Sequence, residues 1–149
     1  MPSKSEVYAA CLELIRHKIA RLERALADLS EDAAGETKSS AGDKHETSRA
    51  MVQNEQEKIS RQLHEASVQQ VALEQMDVTP AHPSVRAGSL VATDKGLLFV
   101  GIALGRIEVA GDTVMALSSQ SPLGLRLAGL RAGEQAAVNG TVYRVEKID

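Results

Sequence analysis

Asp43 and Glu46 are the side chains of this chain best placed to do chemistry. They fall in the stretch Ser39-Ser-Ala-Gly-Asp-Lys-His-Glu-Thr47, at the turn between two long helical patterns. Their spacing brings both carboxylates near one end and one face of a helix's first turn. Carboxylate oxygens suit a hard divalent cation, but two carboxylates are too few for tight Mg²⁺ binding, because that ion takes six oxygens and keeps several waters. The missing oxygens would come from a partner's carboxylates, from phosphate or from water. Asp-x-x-Glu at a helix start is also a capping box, with both charges favoured by the positive end of the helix dipole. A cap uses only part of a carboxylate's acceptor capacity, so the two roles can coexist.

Other polar groups cluster near this turn. Lys38, Lys44 and Arg49 can meet nucleic-acid phosphate, and His45 can act as a ligand or proton carrier; each is also an ordinary side chain of a solvated turn. His17 and His64 lie far apart in sequence and give only a weak case for a shared metal site. Cys11, beside an apolar seam and without an adjacent base, reads as a small buried side chain rather than a nucleophile.

The elements that must position the acidic pair are legible from periodicity. Tyr8, Leu12, Ile15, Ile19, Leu22, Leu26 and Leu29 recur at alternating steps of three and four, a heptad seam. No Pro or Gly interrupts Glu6 to Ala34, and Gly35 is the expected stop. A second helix is expected from near His45 to about Met76, with Val52, Gln56, Ile59, Leu63, Ala66, Gln70 and Leu73 in its seam. Thirty residues of helix span about 45 Å. Two such helices joined through Gly35–Gly42 should fold back as an antiparallel coiled coil, residues 1–76, with the acidic pair at its tip. The same seams also allow pairing between molecules, so a monomer is expected with a dimer as the alternative.

A Pro-containing joint, residues 77–84, then separates this finger from a segment of different grammar, 85–149. Strands are expected over Ser89–Thr93, Leu97–Ala103, Thr113–Leu117, Gln135–Val138 and Thr141–Ile148, with turns at Asp94-Lys-Gly96 and Asn139-Gly140. Ser121-Pro122 can cap and start a short helix whose Leu123, Leu127 and Leu130 cover a mainly antiparallel sheet. Gly124 within it points to a close backbone approach. The fold class is therefore α+β. The segment lacks Cys, a phosphate-loop pattern and any His beyond the joint's His82, so docking is its expected task.

Composition excludes several roles. Up to Met76 there are 13 Asp/Glu against 10 Lys/Arg, and the remainder has seven of each, for a net charge of -3. That balance disfavours a duplex-binding surface, and no sequence-specific DNA binding is expected. Tyr8, Phe99 and Tyr143 are too isolated to form a stacking ladder for single strands. One cysteine permits neither an intrachain disulfide nor a cysteine-based zinc cluster. No run approaches the roughly 20 apolar residues that cross a membrane, and a cytoplasmic setting is expected.

Both ends of the chain resemble the bacterial GreA/GreB family of transcript-cleavage elongation factors. Ser121-Pro-Leu-Gly124, Leu127-Ala-Gly-Leu-Arg-Ala-Gly-Glu134 and the closing Val142-Tyr-Arg-Val-Glu-Lys-Ile148 carry the likeness in order and spacing, and Gly88-Ser-Leu-Val91 is similar to that family's opening strand. The tip motif Gly-Asp-x-x-Glu-Asn-x-x-Tyr is matched at Gly42, Asp43 and Glu46, whereas Thr47 and Ala50 stand at its Asn and Tyr positions. The resemblance implies a coiled-coil finger and an FKBP-like domain that docks, through the region of Ser121, Pro122, Leu123 and Gly124, at the secondary channel of RNA polymerase. It implies that Asp43 and Glu46 help hold a Mg²⁺ ion mainly bound by the polymerase. In that setting the nascent RNA 3′ end is hydrolysed by the polymerase itself, and the factor alone is not an enzyme. The alternative is a channel regulator or inhibitor that does not promote cleavage. From a different class, an FKBP-like fold also suggests a prolyl isomerase, for which only Phe99 and Tyr143 offer aromatic surface.

Overall fold

A computed structural model describes the backbone of residues 1–38 and 43–149, and side chains outside 33–46. The chain is α+β: helices α1 (Lys4–Lys38) and α2 (Asp43–Glu74) precede strands β1 (Leu90–Thr93), β2 (Gly96–Gly101), β3 (Gly105–Val109) and β4 (Asp112–Ser118). Helix α3 (Pro122–Leu127) and strands β5 (Gln135–Val138) and β6 (Thr141–Ile148) complete it. A capping box opens α1, where the Glu6 N–H donates to Ser3 Oγ at 3.1 Å and the Ser3 hydroxyl donates to Glu6 Oε1 at 3.1 Å. Gly35 does not stop α1, which continues to Lys38. One interior glycine costs only about 1 kcal/mol, which a helix of this length absorbs.

Two compact units divide the chain, Leu14–Gln70 and Met1–Glu13 with Val71–Asp149, so α1 and α2 each contribute to both. In the first unit the covered positions follow the heptad seam. Ile15, Ile59 and Ala66 are buried; Ile19, Leu22, Leu26, Leu29, Val52, Gln56, Leu63 and Gln70 are half-buried, with mostly charged or polar exposed residues between them. This narrow stripe is what a two-helix seam needs.

Residues 1–13 behave differently, and their broader stripe belongs to the second unit. Lys4, Val7 and Cys11 are buried beside the half-buried Tyr8 and Leu12. That width is typical of a helix set into a globular core. The Tyr8 hydroxyl donates to the Leu73 carbonyl at 3.1 Å, bringing the start of α1 to the end of α2, as an antiparallel pair requires. Buried Lys4 donates to the Pro80 carbonyl at 2.5 Å and stands 3.6 Å from the Asp149 carboxylate. The segment 77–84 is no bare spacer: its His82 is buried and hydrogen-bonded.

Six strands form one sheet in the order β3-β4-β2-β1-β6-β5. All neighbours are antiparallel except β2 and β4, which pair in parallel with Leu98 opposite Met115 and Val100 opposite Leu117. The parallel pairing exists because β3 intervenes in sequence and pairs on the far side of β4, a strand absent from the sequence expectations. Its pattern is plain in retrospect: Ile107 and Val109 are buried while Arg106 and Glu108 are exposed. The turn that follows puts Ala110 at φ 51° and Gly111 at φ 83°, a two-residue hairpin in which alanine occupies a position usually given to Asn, Asp or Gly. The expected Asn139-Gly140 hairpin has both residues at positive φ, 49° and 80°.

The two sheet faces bury different sets. Val91, Leu98, Val100, Leu117 and Val145 form one core with Leu127 of α3 and Val85, joined at its border by Met115, Leu123, Leu130 and Tyr143. Alternation sends Leu90, Phe99, Val114 and Ala116 to the opposite face, where all are buried.

Candidate functional site

Helix α2 begins at Asp43, so Asp43 and Glu46 occupy its first turn directly after the connection 39–42. Lys38 is the last residue of α1, and Lys44 and His45 lie in the same first turn of α2. The side chains of Lys38, Asp43, Lys44, His45 and Glu46 lie outside the described residues. Arg49, Thr47 and Ala50 are exposed on α2. Two carboxylates at this spacing supply oxygen donors of the right chemistry for Mg²⁺, and too few of them to complete its shell. Among the described residues no group of three His, Cys, Asp or Glu side chains is gathered that could hold a metal ion.

The second candidate region is built around α3. Ser121 is its N-cap, with its hydroxyl donating to the Ser118 carbonyl at 2.7 Å and accepting from the Gly124 N–H at 3.0 Å. Pro122 takes the first turn, where its missing N–H costs nothing. Gly124 is packed against the end of β4: a Cβ there would overlap the Ser118 carbonyl oxygen and lie 2.9 Å from the Ser119 carbonyl. Backbone approach, rather than flexibility, is the reason for glycine. The hydroxyl of Ser121 and the N–H of Gly124 are thus engaged within the domain, and Leu123 is the member of this motif that reaches the border of the core.

Leu123 also lines a groove that sequence reasoning did not find. α3 covers only part of its sheet face, leaving a cavity of about 330 Å³ over the remainder. Leu98, Met115, Leu123 and Tyr143 contribute apolar surface to it; Lys95 and Arg106 contribute positive charge, and no carboxylate lines it. Arg106 reaches this face because it pairs opposite Met115 across β3 and β4. The signal available in the sequence was the alternation Arg106-Ile-Glu-Val109, which identifies both a strand and the residues on its outer face.

The remaining candidates lie apart from these two regions. Cys11 is fully buried, and burial pushes its thiol up to about 11, away from the reactive thiolate. His17 and His64 are exposed. Phe99 and Tyr143 lie on opposite sheet faces, so the two aromatics do not converge on a proline-binding pocket. His82, a turn residue by sequence, is buried between Ser89 and the Asp77 carbonyl.

No family model and no curated protein matches the chain. Among solved structures, one described as the structure of the transcription factor Gfh1 aligns over 92% of this chain and 92% of its own, at 18% identity and a TM-score of 0.36. No helix is long and apolar enough to cross a membrane among the described residues.

Proposed function

We propose that the chain is a secondary-channel factor of bacterial RNA polymerase that stimulates cleavage of backtracked RNA. The observation that carries this reading is the start of α2 at Asp43. It gives a helical pair a first turn bearing Asp43 and Glu46, immediately after the connection between the helices. The expected seam positions, Tyr8 to Leu29 and Val52 to Leu73, include neither acid.

In this mechanism Asp43 and Glu46 would help hold a Mg²⁺ ion through their carboxylate oxygens, with the polymerase supplying most of its ligands. When bound, Mg²⁺ supplies activation of the attacking water and stabilisation of the leaving oxygen in phosphodiester hydrolysis. The chain's own contribution is to orient: a carboxylate accepts a hydrogen bond from the water and fixes its line of approach to the RNA phosphate. Lys38, Lys44 and Arg49 offset phosphate charge near the same turn, and His45 contributes a further polar contact. The sheet unit docks on the polymerase, the isolated chain has no nuclease activity, and it acts as a cytoplasmic monomer.

A second reading rests on Ala50. It is exposed on α2 at the position where the resembled tip motif carries Tyr, so no aromatic ring is offered to the RNA there. This favours a regulator that enters the channel without promoting cleavage. Adding the chain to a stalled, backtracked transcription complex with Mg²⁺ separates the two. Shortened RNA supports the cleavage factor, whereas competition for the channel with full-length RNA supports the regulator.

A further inference from the structure

The docking expected of the Ser121-Pro-Leu-Gly motif is better carried by the groove beside it. Ser121 spends its hydroxyl hydrogen on the Ser118 carbonyl and accepts from Gly124, leaving little polar capacity for a partner. The neighbouring sheet face offers both components of a binding surface. Leu98, Met115, Leu123 and Tyr143 present apolar area, and Arg106 stands exposed at the edge on β3. Lys95, also on the lining, is 3.5 Å from Asp94, whereas Arg106 has no such ion pair among the described residues. Glu108, on the same face of β3, has its carboxylate accepting from the Thr113 hydroxyl at 2.6 Å.

We infer that Arg106 is a charge-selective anchor of the polymerase-docking surface, pairing with a carboxylate on a partner segment whose apolar side chains fill the groove. The inference rests on the polymerase reading above. Positive charge without a lining carboxylate is complementary to an acidic segment and unfavourable to a basic one. The cavity volume has room for apolar side chains of a partner segment. Arginine supplies a planar fork that a carboxylate can meet with two hydrogen bonds, and its place on an edge strand leaves it accessible.

The test is equilibrium binding of the full chain to bacterial core RNA polymerase at two salt concentrations. Arg106→Glu is expected to weaken binding by about tenfold or more and Arg106→Lys to restore most of it, with the gap between wild type and Arg106→Glu narrowing at high salt. Arg106 is exposed, so unchanged thermal melts should accompany these variants. Wild-type binding with an undiminished Arg106→Glu variant overturns the anchor and leaves the polymerase reading standing. Absence of wild-type binding overturns both.

Discussion

Nδ1 of His82 lies 2.7 Å from the Ser89 hydroxyl, and Nε2 of the same ring lies 2.9 Å from the Asp77 carbonyl. A carbonyl can only accept, so Nε2 carries the hydrogen, and in the neutral ring Nδ1 then accepts from Ser89. The Ser89 oxygen in turn accepts from the Arg86 N–H at 3.0 Å. One buried neutral imidazole thereby ties the start of the joint after α2 to the first residues before the sheet.

Burial holds the His82 pKa below the ordinary histidine value, assisted by Lys4 and Arg86 and opposed by the hydrogen bond and charge at Asp77. The unfolded chain therefore takes up this proton first as pH falls. The contribution is complete above about pH 6.5 and is lost progressively below it. Urea unfolding at about pH 7.5 and about pH 5.5 should show a larger loss of stability for wild type than for His82→Gln. Equal losses would remove His82 from the account.

Gly124→Ala should destabilise the sheet unit by about 1–3 kcal/mol, because the added methyl group meets rigid backbone at Ser118 and Ser119 rather than a movable side chain. Denaturant midpoints measure the effect. A neutral substitution would mean that α3 can shift away from β4 at little cost.

Cys11 should resist a thiol reagent in the native protein and react fully once the chain is unfolded. Complete burial blocks access, and the raised pKa keeps the group protonated. Rapid labelling at neutral pH under native conditions would contradict the packing of α1's first turns.

Much of this structure was readable because it depends on short-range periodicity. Seam positions from Tyr8 to Leu29 and from Val52 to Leu73 are all half-buried or buried, as a contact between two helices requires. Asn139-Gly140 and Ser121-Pro122 were equally legible, as their local chemistry specifies a hairpin and a cap. The misses have a common cause in tertiary context. Ala110 adopts positive φ without an Asn or Gly to announce it, so β3 went unseen, and with it Arg106's place on the groove. His82 reads as part of a turn-rich joint, yet hydrogen bonds to Ser89 and the Asp77 carbonyl permit its burial. Gly35 reads as a stop only if its local cost outweighs the helix around it.

The central claim is that Asp43 and Glu46 act together inside another macromolecule's active centre. Its most direct measurement is cleavage of backtracked RNA by purified polymerase with Mg²⁺, comparing wild type with Asp43→Asn and Glu46→Gln at saturating factor. Both variants should bind polymerase as wild type does while reducing the cleavage rate by at least about a hundredfold, the scale of losing a positioned charged group in a catalytic centre. Cleavage by both variants at the wild-type rate would contradict the claim.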